Sequence, residues 1–189
     1  MFHKEGYKII IVSMLIFAGV ILSILYVLYR SAKPKIVELG NIPATEFYKD
    51  INRFPQAEKL PDTIIMRFDD QLYFGNASFF KESIYNLLDE YIGTPKYFIL
   101  DGSNIHEIDS SGLHTLMDID KELKYKNIQL HLCGAIGPVR DQLKKGGLLG
   151  EADKHHMQVH ACVNFIQSSM HSDQIIICRP SNPMQTNIK

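Results

Sequence analysis

"YFILDGSNIHEIDSSGLHTLMDI", Tyr97 to Ile119, is the stretch on which the fold turns. It opens with a continuous apolar run of strand length, passes Gly102, and closes in a helix with apolar periodicity. A run without polar alternation suits a strand buried on both faces of a sheet covered by helices. The run "KYFILDG", residues 96–102, is therefore expected as a central strand. Two adjacent hydroxyls, Ser110 and Ser111, follow the acidic Asp109 where the helix begins. A plain capping role for Asp109 or Ser110 fits this position, because a helix leaves its first N–H groups without partners. The same helix end is electropositive, so a phosphate on Ser111 would be tolerated there. Geometry alone leaves both roles open.

Working outward, "TIIMRF" and "QLYFG" upstream are two strand-like runs separated by Asp69-Asp70, which read as a hairpin. "NASFFKESIYNLLDEY" then places Phe80, Ile84, Leu87, Leu88 and Tyr91 at helical spacing, with Asn76 as a suitable N-cap and Gly93 and Pro95 as the stop. Downstream, Leu113, Leu116 and Leu123 give the helix after the double serine its apolar side. "NIQLHLCG" is a further strand, and "PVRDQLKKGG" a short helix ending in glycine. A last amphipathic helix is expected in "VHACVNFIQSSM", with Val159, Cys162, Val163 and Ile166 inward, and the tail after Arg179 is expected to fray. Alternating strands and helices at this spacing imply a small α/β sandwich, with functional loops at the carboxyl ends of the strands. Asp101 and Asp109 fall at such ends and read as turn and cap residues.

The N-terminus is different in kind. Ile9 to Tyr29 is an uncharged apolar run of about 21 residues, long enough to cross a bilayer. It exceeds the apolar core of a signal peptide, and no A-x-A cleavage site follows. Arg30, Lys33 and Lys35 after the run, against Lys4, Lys8 and Glu5 before it, place the remainder of the chain in the cytosol. The Asn76-Ala77-Ser78 sequon would then never meet the glycosylation machinery. From Arg30 to Asp62, four prolines (Pro34, Pro43, Pro55, Pro61) interrupt any long helix. The aromatics Phe47, Tyr48 and Phe54 are too many for a solvated linker. This connector should pack on the domain or on neighbouring membrane segments.

Composition excludes several function classes. A net charge of -1 over 189 residues offers no footprint for nucleic acid. Cys133, Cys162 and Cys178 are odd in number and lack short spacing, which fits free thiols in a reducing compartment. His155, His156 and His160 have near-helical spacing but no identifiable fourth ligand, and read as surface residues, so no metal and no cofactor are expected. Gly134, Gly137, Gly146 and Gly147 form no phosphate-binding loop. With no carboxylate pair, no Ser-His-Asp order and no activated cysteine, an enzyme is not expected.

A resemblance adds what spacing cannot. Asp109-Ser110-Ser111-Gly112-Leu113 after a buried strand resembles the signature loop of STAS domains, shared by anti-sigma-factor antagonists and the cytoplasmic tails of SulP anion transporters. "LYFGNASFF" (Leu72–Phe80) resembles the LYFANA-type segment of the SulP tail. The stretch Leu39–Asp69 resembles the connector that joins the last membrane helix of those transporters to the domain. The likeness runs from the apolar run to Gln167. It implies an N-terminal tail (1–8), a transmembrane helix (9–29), a connector (30–60), a STAS domain (61–170) and a C-terminal tail (171–189). SulP transporters have a membrane core of many helices, whereas this chain has one span. A C-terminal piece of a transporter, incomplete or a split subunit, is expected, unable to transport alone. Its partners would be the membrane, the transporter core or a second STAS domain, and a regulatory protein. The alternative is a membrane-anchored partner-switching protein of the antagonist type, controlled by phosphorylation of Ser111. In both, the residues of interest are Asp109, Ser110, Ser111 and Gly112, as phosphoacceptor or partner-binding loop.

Overall fold

The computed structural model describes residues 3–149 and 155–177. Helix α1 (His3–Ala32) comes first, and its apolar stretch Ile10–Ala32 has none of its length buried inside the protein. At 1.5 Å per residue those 23 residues reach about 34 Å, enough for the hydrocarbon of a bilayer. Only Lys33, Pro34 and Lys35 separate α1 from the first strand.

That strand, β1 (Ile36–Asn41), and the short β2 (Tyr48–Asp50) arise from the connector, which packs on the domain by joining its sheet. Strands β3 (Thr63–Phe68), β4 (Tyr97–Asp101), β5 (Gln129–Cys133) and β6 (His155–His156) complete an order of β2-β1-β3-β4-β5-β6. β1 runs antiparallel to β2 and β3, and β3 to β6 are mutually parallel neighbours. The expected hairpin of "TIIMRF" with "QLYFG" does not form. β3 pairs instead with β1 and β4, while Leu72 makes a single parallel bridge to Ile108. The physical reason lies in Asn76, which is fully buried. Its side chain accepts from the Tyr73 N–H (3.0 Å) and donates to the Gln71 carbonyl (2.8 Å), closing residues 71–76 into a turn. Asn76 therefore stands at the N-cap position of helix α2 (Ala77–Glu90) without capping it through its side chain.

Alternate residues of the central strands divide the core. Ile64, Met66, Phe68, Phe98, Leu100, Leu130 and Leu132 face α2, α3 (Ser110–Tyr125) and α4 (Gly137–Lys145). Ile65, Ile99 and Cys133 face the other way, toward α5 (Val159–Ile177), which buries Val159, Cys162, Val163 and Ile166 as its spacing predicts. Burial on both faces explains why β4 reads as an unbroken apolar run. The expected frayed tail after Arg179 lies outside the described residues, as does Cys178.

Candidate functional site

The loop that opens α3 is built around one carboxylate. Asp109 is the N-cap, in extended backbone conformation, and its Oδ1 accepts the Gly112 N–H at 2.7 Å. Its Oδ2 accepts the Phe74 N–H at 3.0 Å, and its own N–H donates to the Leu72 carbonyl at 3.1 Å. One side chain thus closes the helix end and clamps the 72–74 segment against it. Of the two capping candidates, Asp109 does the work. Ser110 and Ser111 occupy the first two helical positions, both exposed, and among the described residues neither hydroxyl is engaged in a hydrogen bond. Gly112 is where α3 meets the 72–74 segment. A Cβ there would lie 2.6 Å from the Leu72 carbonyl oxygen. The arrangement presents two free hydroxyls on a rigid frame, at the electropositive end of a 16-residue helix, beside the Phe74 ring, which is 75 % exposed.

Removing that carboxylate tests the frame. Asp109→Ala loses the cap and one further backbone hydrogen bond, and should lower folding stability by about 2 kcal/mol in guanidinium unfolding followed by circular dichroism. Ser110→Ala and Ser111→Ala, with solvated hydroxyls, should each stay within about 0.5 kcal/mol of wild type.

A second grouping lies across the sheet. His131 of β5 is buried, and its ring sits 5.8 Å from that of His156 in β6. One donor atom from each of His131, His156 and Cys162 lies within 4.8 Å of the other two. The expectation of surface histidines is corrected for His156 and His160, while the side chain of His155 lies outside the described residues. The β6 strand lays His156 along the sheet edge beside α5, where the Phe165 ring lies tilted with its centroid 5.0 Å away, and His156 is half-buried. His160, in the first turn of α5, is also half-buried, within 3.8 Å of Glu46. His131 escaped the reading of the sequence, although a histidine amid the apolar "QLHLC" was a signal, since a buried polar ring needs a partner. Cys133 and Cys162 are free thiols. Burial pushes the Cys162 thiol up to about 12 and the Cys133 thiol upward as well, Asp101 adding to the latter, so neither is an activated nucleophile.

At the carboxyl ends of β4 and β5, a cleft of about 310 Å³ is lined by Tyr48, Asp101, Ser103, Gly134 and His160 among others. Asp101 there accepts the Ser103 N–H at 3.1 Å, the turn role its position suggests. Gly134 adopts φ +70°, and a Cβ on it would meet Ser103 and Asp101 at about 3 Å, so glycine is required.

Residues 54–162 match the model of the STAS domain. "Sulfate transporter 4.1, chloroplastic" from Arabidopsis thaliana is 29% identical over 174 residues, covering 84% of this chain and 25% of the transporter. "Sulfate transporter 1.3" from the same plant is 31% identical over 140 residues, covering 70% and 21%. The chain therefore spans about a quarter of the length of these relatives. Among solved structures, the murine Slc26a9 anion transporter in the inward-facing state superposes with a TM-score of 0.71 at 22% identity, over 81% of this chain and 25% of that one, a likeness of fold. With the domain model covering more than half of its length, the chain belongs to the STAS domain family, and the relatives it matches are sulfate transporters.

Proposed function

We propose that this chain is the cytoplasmic regulatory module of a SulP-type sulfate or related anion transporter, held at the membrane by α1 and working with a membrane core of other helices. The observation that carries the reading is the junction. An apolar helix, exposed over residues 10–30 among the described residues, runs into β1 after three residues, and near its end the Ser31 hydroxyl meets the Tyr73 hydroxyl at 2.5 Å. Such a short link fixes the domain against the bilayer surface, with Arg30, Lys33 and Lys35 at the headgroups. One helix cannot wall an anion pathway, because every polar group along it needs protein around it. The apolar face of α1 is then the contact to neighbouring helices, and the α3 loop a contact for the core, a second STAS domain or a regulatory protein. No step of chemistry is assigned to it, in keeping with relatives that are transporters.

Sulfate uptake in cells lacking their own sulfate permeases tests this. The chain alone should give none. Co-expressed with a SulP membrane core deprived of its own STAS domain, it should co-purify with that core and raise uptake. Failure both to co-purify and to change uptake would sink the proposal. A second reading, partner switching through phosphorylation of Ser111, is favoured by one observation, the exposed hydroxyl at the second position of α3. Phosphopeptide mapping from cells that finds Ser111 always unmodified would count against it.

A further inference from the structure

We propose that His131, His156 and Cys162 form a binding site for one thiophilic closed-shell cation, Zn(II) or Cu(I), which pins α5 and the edge strand β6 to the sheet. Three separate elements supply the donors: β5, β6 and α5. The donor atoms already lie within 4.8 Å of one another. Around a tetrahedral ion with Zn–N near 2.0 Å and Zn–S near 2.3 Å, neighbouring donors stand roughly 3.3–3.8 Å apart. Small side-chain rotations close the difference.

The chemistry of the donors selects the ion. Two imidazoles and a thiol, with no carboxylate among them, suit zinc and copper and give calcium or magnesium nothing to hold. The setting is shielded from water. His131 and Cys162 are buried, Phe165 lies 5.0 Å from the His156 ring and 6.2 Å from the His131 ring, and Tyr97 lies 6.0 Å from His131. Cys133 stands beside the set: it is two residues from His131 on the same face of β5 and pairs in register with His156. Its thiol donates to the Leu100 carbonyl at 3.5 Å. Zn(II), which favours four ligands, would draw Cys133 in; Cu(I) is satisfied by three.

A role follows from position. β6 has two residues and joins the sheet by a short pairing with β5, so an ion held by His156, His131 and Cys162 fastens the edge of the sheet and the first turns of α5 together. An ion that binds only the folded chain raises its melting temperature.

The test uses the full chain in detergent micelles, with Cys178→Ser as the background, and Zn(II) and Cu(I) each presented against a chromophoric chelator. One equivalent of at least one ion should bind, with an upward shift in melting temperature. Cobalt(II) should produce a thiolate-to-metal absorption band at a zinc site. Cys162→Ala and His156→Ala should each abolish the equivalent, the band and the thermal shift; His156 is half-buried, so its removal leaves folding intact, checked by circular dichroism. Loss of binding in Cys133→Ala adds Cys133 to the ligand set, and its retention leaves the set at His131, His156 and Cys162, with water able to complete the shell of Zn(II). Absence of stoichiometric binding of either ion to the parent chain, or equal binding in the Cys162→Ala and His156→Ala variants, overturns the proposal.

Discussion

Phe80→Ala should cost about 4 kcal/mol of folding stability, a large share of the roughly 5–15 kcal/mol that holds a domain folded. Phe80 is fully buried in the first turn of α2, and its ring meets Phe68 edge-on at 4.9 Å between centroids. Phe68 ends β3, so this pair is the joint between the helix and the strand that centres the sheet. Truncation removes the transfer energy of a whole ring, leaves a cavity the sheet cannot close, and loses an aromatic contact of about 1 kcal/mol. Phe80→Leu keeps most of the volume and should cost about half as much. Guanidinium unfolding of both variants, followed by circular dichroism, checks the difference. Equal, small losses would mean that α2 contributes little to the fold.

The helix carrying Phe80 and the strand β4 were legible in the sequence because their burial leaves a period: 3.6 for a helix with one apolar side, none for a strand covered twice. The same logic explains what was not legible. "QLYFG" contains apolar residues at strand density, yet its shape is set by Asn76, whose carboxamide satisfies the backbone of the preceding turn. An internal hydrogen bond of this kind has no periodicity. β1 and β2 were hidden for another reason. Their segment is broken by prolines, and its pairing partners are β3 and β1 itself, so the strands exist only once the sheet is there.

The site was legible in part. That Asp109 or Ser110 would cap the helix followed from residue type; that Asp109 does so, and that its second oxygen reaches Phe74, 35 positions earlier, did not, because only the folded chain brings them together. The His131, His156 and Cys162 grouping was missed for the same cause. Its members are spread over three elements, and the histidines that drew attention were those adjacent in sequence.

Gly112→Ala separates local preference from tertiary packing more sharply than any other substitution here. Glycine inside a helix is normally a weakness, and alanine in its place should stabilise by up to about 1 kcal/mol. At this position the opposite sign is expected, a loss of about 3 kcal/mol. The new Cβ would lie 2.6 Å from the Leu72 carbonyl oxygen, 2.9 Å from its Cγ and 3.0 Å from its carbonyl carbon. The two carbonyl atoms cannot swing away as a flexible side-chain end would, and the Leu72 side chain is fully buried. The carbonyl is backbone, it already accepts the Asp109 N–H, and the Leu72 N–H is tied to the Glu107 carbonyl at 3.0 Å. Relief therefore requires α3 to back off from the 72–74 segment, which stretches both bonds that Asp109 makes to it and disturbs the frame presenting Ser110 and Ser111. Because the first carbon causes the clash, Gly112→Ser should behave like Gly112→Ala, whereas substitutions at the exposed neighbour Ser111 should be nearly silent. Unfolding free energies for the three variants decide the matter. If Gly112→Ala is stabilising, the close approach of α3 to Leu72 is not a constraint on the fold, and the α3 loop is free to move when a partner docks.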